Sequence, residues 1–366
     1  MSKYAELKTR LESGDVIILD GAIGTELQAM GVPMDPASWC GPANYTHSAT
    51  VRKMHERYIR AGAEIITTNT FNTLRPALEA SGYGELVREV NTRAVDAALD
   101  ARDRAAGDKP VYIAGSISCR IPVRDGRTGR LLGGTGYGYG ASLSVEELRF
   151  HAREQADILA ESGVDFFLIE TLWADNESRA IATEAAKSTG LPVWVAFTAS
   201  LSGDGQTVRM DFAADRNYSV GIGLPMWTST WRQVDNEKTL AVAASEIAAI
   251  GPDVLGVFHS RLHDTTKALQ VVLDEWSGPV MAYPDAGRQD YLDVKQDASV
   301  VNEESAQDLQ REAGAWVGMG VQVIGTCCGF GPGYINGLDG ALPGRISAPR
   351  MSTQAVAEEG VALPST

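Results

Sequence analysis

Two adjacent cysteines, Cys327 and Cys328, lie in the run VQVIGTCCGFGPGYI, directly after an apolar stretch that reads as a buried strand. Thiols at the carboxyl end of a strand are placed to hold a metal ion or to take part in redox chemistry. Neighbouring residues on an extended strand point opposite ways. Both thiols can therefore face one ion only where the strand breaks into a turn, which Gly325 and Gly329 allow. Taken alone, the pair reads equally well as two buried, inert thiols, because free cysteine packs as a small hydrophobe.

Other apolar runs also end in polar residues: Asp20, Asn69, Cys119, Glu170 and His259. His259 with Cys327 and Cys328 makes a three-ligand N/S set with an open fourth position, the donor pattern of a catalytic zinc site. Thiolates favour zinc over magnesium or calcium. The spacing is not a CxxC signature, and a lone histidine after a strand also reads as a core residue. His263 would share a helical face with His259, but the strand reading separates them. Asp20 opens DGAIGTEL, whose small residues let a ligand approach the backbone. Glu170 closes a greasy strand, where an acid needs a cation or a hydrogen-bond partner. Each acid alone reads also as a helix cap or a salt-bridge partner. Together they could grip an ammonium group beside a metal.

The elements that must position these residues are apolar runs alternating with helical stretches. The runs end at Asp20, Thr68, Ser116, Thr171, Thr198, His259 and Pro284, and the last is VQVIGTCC. They are nearly continuous in apolar character, as strands covered on both faces must be. SATVRKMHERYIRAGA and SVEELRFHAREQADILAESGV read as helices, the second opening on a capping box of Ser144 and Glu147. Glycines in AGA, SGV and MGV read as helix C-caps. Eight such units predict a (β/α)8 barrel in a single domain over residues 1–346, with a C-terminal tail at 347–366. An open doubly wound sheet is the alternative, but no GxGxxG follows the first strand. Two irregular segments, CRIPVRDGRTGRLLGGTGYGYGAS after the third strand and about Ser202 to Asn236 after the fifth, are expected at the carboxyl face. The aperiodic tail is either disordered or reaches across a neighbouring subunit, as in a homo-oligomer.

Composition narrows the function classes. With 366 residues, 44% of them hydrophobic, the chain can bury a large core. Its start lacks an apolar signal region, and no stretch approaches the roughly 18 apolar residues of a membrane span. Four cysteines form no disulfide framework, so a reducing cytoplasm is expected. A net charge of −15 argues against nucleic-acid and anionic-membrane partners, leaving small molecules.

DGAIGTEL, AGAEIITTNTF, the strand ending IET and GTCCGFGPGYI occur in the order found in the zinc-dependent homocysteine S-methyltransferase family, which the chain resembles over roughly residues 15 to 340. The resemblance implies a (β/α)8 barrel whose Zn2+ holds the thiol of homocysteine, with Cys327 and Cys328 as ligands. It also implies that Asp20 and Glu170 handle the amino-acid part of the thiol substrate, and that Trp39, Asn69 and Thr70 lie in pocket-lining segments. The chain departs from the family at two motifs. GVFH stands where the family has GxNC, so His259 replaces the first zinc cysteine. GSISCRIP replaces GSxGP and is expected to bring Cys119 near the mouth, as a candidate to help His259, Cys327 and Cys328 hold the metal.

The implied chemistry follows from zinc. A thiol of pKa about 8.5 is mostly protonated at neutral pH, and coordination removes its proton. The thiolate then attacks an activated methyl group. Imidazole in place of thiolate removes a negative charge, which favours onium donors. Trp227, Trp231, Tyr137 and Tyr139, on the irregular segments, could enclose such a donor or pack on the barrel rim. The alternatives are a methyltransferase or demethylase component with a folate or corrinoid partner or a different thiol acceptor, a zinc hydrolase with Glu170 as general base, and a non-catalytic thiol sensor.

Overall fold

The computed structural model describes residues 3–119, 143–171, 176–202, 205–210, 239–286 and 305–346, with backbone alone at 123–124 and 131–132. Eight parallel strands form its centre: β1 (Ile17–Ile18), β2 (Ile65–Thr67), β3 (Tyr112–Ile117), β4 (Phe166–Ile169), β5 (Val193–Phe197), β6 (Val254–Arg261), β7 (Val280–Asp285) and β8 (Val323–Ile324). Each pairs with its sequence neighbour, β8 pairs with β1, and a bridge from Leu19 to Ile65 joins β1 to β2. The sheet is therefore a closed (β/α)8 barrel, as the alternation of apolar runs predicts. Each expected strand is present where the apolar runs place it. The carboxyl ends of all eight strands open onto one face.

Alternation along the strands sorts the core into two layers. Ile17, Leu19, Ile65, Tyr112, Ala114, Phe166, Leu168, Trp194, Ala196, Phe258, Met281, Tyr283 and Val323 pack together inside the barrel. Their sequence neighbours Ile18, Ile66, Ile113, Phe167, Ile169, Val193, Val195, Val257 and Ala282 pack outward against the helices. The helix Lys3–Glu12 closes the lower end, inserting Tyr4, Leu7 and Leu11 into the inner layer. Tyr4 also accepts a hydrogen bond from Trp194 Nε1 at 3.0 Å.

Local signals are met where they were expected. Ser144 and Glu147 form a reciprocal capping box at the start of the helix Val145–Ser162. Gly62, Gly163 and Gly320, in the expected C-caps, all have positive φ. Most of the segments after β3 and β5, with Tyr137, Tyr139, Trp227 and Trp231, lie outside the described residues, as does the tail from 347. Among the described residues, no helix is long and apolar enough to cross a membrane.

One close approach governs the mouth. A Cβ on Gly325 would lie 2.7 Å from Leu19 Cβ and 2.8 Å from the Asp20 carbonyl oxygen. Glycine is what lets β8 and β1 close over one another immediately before the two cysteines. Gly325→Ala should lower stability by about 1–3 kcal/mol, the usual cost of overpacking a rigid core, measured as a shift in urea midpoint.

Candidate metal centre and active site

β6 is the strand on which the site turns. Val254 and Phe258 face the barrel interior, so strict alternation would send His259 outward into the helical layer. The strand does not stay regular. Its pairing with β7 shifts register between Phe258 and Arg261, and His259 takes φ +43. A β-bulge of this kind re-aims a side chain. Ser260 holds the bulge in place: its hydroxyl donates to the Phe258 carbonyl at 2.9 Å and accepts from the Ala199 amide at 2.8 Å. Thr265 Oγ1 donates to the Arg261 carbonyl at 2.9 Å, fixing the turn into the helix Leu262–Glu275.

The cysteines are equally constrained. The Cys327 amide donates to the Pro284 carbonyl at 2.7 Å, and the Cys328 carbonyl accepts from the Ala286 amide at 3.0 Å. Gly329, at φ +83, donates its amide to Thr25 Oγ1 at 3.2 Å. The turn expected from Gly325 and Gly329 therefore exists, and it lets both thiols face one point. His259 Nδ1 lies 3.4 Å from Cys327 Sγ, Cys327 Sγ lies 4.0 Å from Cys328 Sγ, and the ligand atoms of the three residues all fall within 4.8 Å of one another.

These spacings fit zinc. With Zn–S near 2.3 Å and Zn–N near 2.0–2.1 Å, tetrahedral geometry puts two sulfurs about 3.8 Å apart and sulfur and nitrogen about 3.6 Å apart. Burial pulls the His259 pKa down, but Cys327, Asp285 and Glu170 outweigh it and raise it to about 9. Cys328 and burial push the Cys327 thiol well up, against the pull of His259. A cation among these groups would reverse that balance, because metal ligands bind deprotonated.

Cys119 does not join the three. It is buried, has φ +52 and packs in the larger apolar cluster, outside the group formed by His259, Cys327 and Cys328. β3 ends at Ile117, and the left-handed backbone at Cys119 breaks the alternation of the strand. His263 lies on the helix outside the barrel, 60% exposed, with Nε2 2.7 Å from Asp264 Oδ1.

The two acids lie buried at the same mouth. Asp20 accepts from the Thr67 amide at 2.7 Å and from Thr67 Oγ1 at 3.0 Å. Glu170 accepts from Ser116 Oγ. The Tyr283 hydroxyl also lies near enough to favour the Glu170 carboxylate, though without a hydrogen bond of ordinary geometry. Burial raises the Asp20 pKa well above the carboxylate range. The Thr67 bonds oppose that rise and the nearby Glu170 adds to it. Burial likewise lifts Glu170 to about 7, against Ser116, Tyr283 and His259. Among the described residues, neither acid pairs with a lysine or arginine, so neither is a plain salt-bridge partner.

Trp39, at φ +52, lays its ring on the start of the helix Gly24–Ala29, where a Cβ on Gly24 would come within 2.2 Å of the indole. Asn69 spends its side chain on the neighbouring loop. It accepts from Cys40 Sγ at 3.0 Å and donates to the Cys40 carbonyl at 2.9 Å and to Asn44 Oδ1 at 2.8 Å. Thr70 Oγ1 donates to the Ser116 carbonyl at 2.7 Å and lies 2.8 Å from Thr68 Oγ1. Thr67, Ser116, Tyr283 and Asp285 were missed by reading strand termini alone. Inward parity on β2, β3 and β7 was the signal that could have found them.

A sequence model of the homocysteine S-methyltransferases matches residues 17–342. The chain belongs to the homocysteine S-methyltransferase family. It is 25% identical to the homocysteine S-methyltransferase of Escherichia coli strain K12, covering 92% of this chain and 99% of that protein. It is also 25% identical to betaine–homocysteine S-methyltransferase 1 of Bos taurus, covering 90% and 72% respectively. The fold is similar to the metallated form of the homocysteine methyltransferase MmuM from Escherichia coli, with a TM-score of 0.65 at 22% identity over 91% of this chain and 99% of that one. The protein is thus a methyltransferase that moves a methyl group to a thiol acceptor such as homocysteine.

The Glu170 shift has a direct consequence for stability. Its native pKa is raised from 4.5 to about 7, so the native state holds the proton more tightly than the unfolded chain. Between those values the native state binds more protons, and stability falls as pH rises, levelling off above about 7. In zinc-stripped protein, Glu170→Gln should therefore stabilise at pH 8 by up to about 3 kcal/mol, and hardly at all at pH 4.5 or below. Urea unfolding at the two pH values measures the difference. Equal effects at both would show that Glu170 titrates normally.

Proposed function

We propose that this methyltransferase is zinc-dependent and takes its methyl group from an onium-type donor. In this reading His259, Cys327 and Cys328 hold Zn2+, and Asp20 and Glu170 hold the ammonium of the thiol amino acid. The observation that carries it is the pairing of a zinc-spaced N/S triad with two buried acids that lack a basic partner among the described residues. Zinc bound there supplies a Lewis acid that lets the acceptor thiol react as a thiolate at neutral pH.

The chain's own residues do the rest. Two buried carboxylates, both raised in pKa by burial and Asp20 further by Glu170, are short of positive charge, and an ammonium placed between them relieves both. Thr67 and Ser116 hold the carboxylates in place by donating hydrogen bonds to them. We assign Trp39 to the pocket wall. Asn69 and Thr70 keep that wall in place, Asn69 by clamping the Cys40–Asn44 loop next to Trp39. In the transfer, the acceptor sulfur forms a bond to the methyl carbon while the bond from that carbon to the donor's onium atom breaks. The electron pair leaves with the donor, which departs neutral. A quaternary ammonium is such a donor, and betaine appears in the name of one relative.

The domain reading remains one barrel through residue 346 with residues 347–366 as a tail, and four free thiols suit a reducing cytoplasm.

Purified protein should carry about one zinc per chain, given three ligands of the zinc-preferring kind. His259→Ala should lower zinc affinity and abolish methyl transfer. His259→Cys should keep the metal and accept less activated donors. Glu170→Gln should weaken binding of the acceptor roughly ten- to a hundredfold, the value of a charge-assisted hydrogen bond, with zinc content unchanged. Metal analysis and product mass spectrometry with homocysteine and onium donors provide the readouts. Turnover of an ester or amide without any thiol acceptor would overturn the assignment in favour of hydrolysis.

A further inference from the structure

Asp285 is a buried acid that belongs neither to the metal triad nor to the ammonium pair. Met281 and Tyr283 of β7 face the barrel interior, and Asp285 continues the series at 3% exposure. The register of β6 and β7 brings it to the bulge: pairing runs from Phe258 with Tyr283, skips His259 and Ser260, and resumes at Arg261 with Asp285. Asp285 Oδ2 lies 3.8 Å from His259 Nε2, on the opposite side of the ring from Cys327. The imidazole thus spans the gap between a thiol on Nδ1 and a carboxylate on Nε2. His263 takes no part, being occupied with Asp264 outside the barrel.

We propose that Asp285 is the positioning residue for His259. It accepts the Nε2 proton, holds Nδ1 toward the metal, and supplies the negative charge that imidazole lacks relative to thiolate. The proposal rests on the zinc reading of the triad. A carboxylate behind a ligating histidine fixes its tautomer and raises its basicity. The charge count points the same way. Two thiolates balance a divalent ion, and Asp285 brings the assembly to one net negative charge, the value three thiolates would give. Histidine and aspartate act here as one unit occupying a cysteine's place. The 3.8 Å separation is an ion-pair distance, and a small rotation of either side chain closes it to a hydrogen bond.

A double-mutant cycle tests this in full-length protein. Zinc affinity is measured by competition with a chromophoric chelator, and the ligand field by the visible spectrum of the cobalt-substituted protein. Asp285→Asn should weaken zinc binding about 10- to 100-fold, the usual cost of losing such a partner, and shift the cobalt bands. Asp285→Glu should recover part of the affinity. In the His259→Cys background, Asp285→Asn should leave zinc affinity within about twofold, because no imidazole remains to orient. Acceptor binding, which depends on the other two acids, should change less than kcat. Wild-type protein that binds no zinc overturns the metal reading itself. Normal zinc binding that Asp285→Asn leaves unchanged overturns this proposal alone. So does an equal loss of affinity, or of folding, in both backgrounds, which would make Asp285 a general structural residue.

Discussion

The irregularity of β6 is the constraint on which the mouth of this barrel depends. A regular strand would present Phe258 to the interior and send His259 into the helical layer, where its imidazole could not meet the thiols. The bulge resolves this at the cost of one residue at φ +43 and one lost ladder position. Such backbone persists only where its surroundings over-determine it. Ser260 provides that support by bridging the Phe258 carbonyl to the Ala199 amide. The site is therefore held by hydrogen bonds from β7 and from the segments that follow β5, β7 and β8. A site held this way is largely assembled before any ion enters.

The second organising fact is an imbalance of charge. Asp20 and Glu170 are both buried, both raised in pKa and near enough to repel. A fold selected for stability alone would have supplied a lysine or arginine, or replaced the acids with apolar residues. Retaining them costs stability, which suits the proposed role of holding a cation brought from solution. Thr67 and Ser116 reduce that cost by donating to the carboxylates without neutralising them. The same logic explains why the acids sit on β1 and β4 while the proposed ligands sit on β6 and β8. In the proposed function the ammonium grip and the metal shell would be carried by separate backbones that meet only in the open mouth.

Much of this was legible from the residues in order. Apolar runs of nearly unbroken character identified all eight strands, and the glycine caps and the Ser144–Glu147 box were met. His259 with the two cysteines could be proposed as a donor set because each ended a run and the donor types suited one metal. Three things were not legible, for different reasons. The bulge is decided by contacts between Ala199 and Ser260, far apart in sequence, and no local pattern announces it. Asp285 stands one residue beyond the apolar run that ends at Pro284, so a list of run-ending residues passed over it. The left-handed backbone at Cys119, two residues past the end of β3, is the third, and the altered motif around it does not announce it.

In the proposed zinc site, exchange of a thiolate for imidazole at β6 would change the metal's electronics far more than its position. Zn–N bonds are about 0.2–0.3 Å shorter than Zn–S bonds, a difference the bulge can absorb by a small turn of the ring. The loss of a negative charge is harder to absorb, since it makes the ion a stronger acid and the thiolate it holds a poorer nucleophile. Asp285, on the far side of the ring, is placed to return part of that charge. Because the acids proposed to grip the ammonium stand on other strands, such a change at β6 would leave that grip untouched. On this proposal acceptor class and donor reactivity would vary independently, β1 and β4 setting the first and β6 with β7 the second.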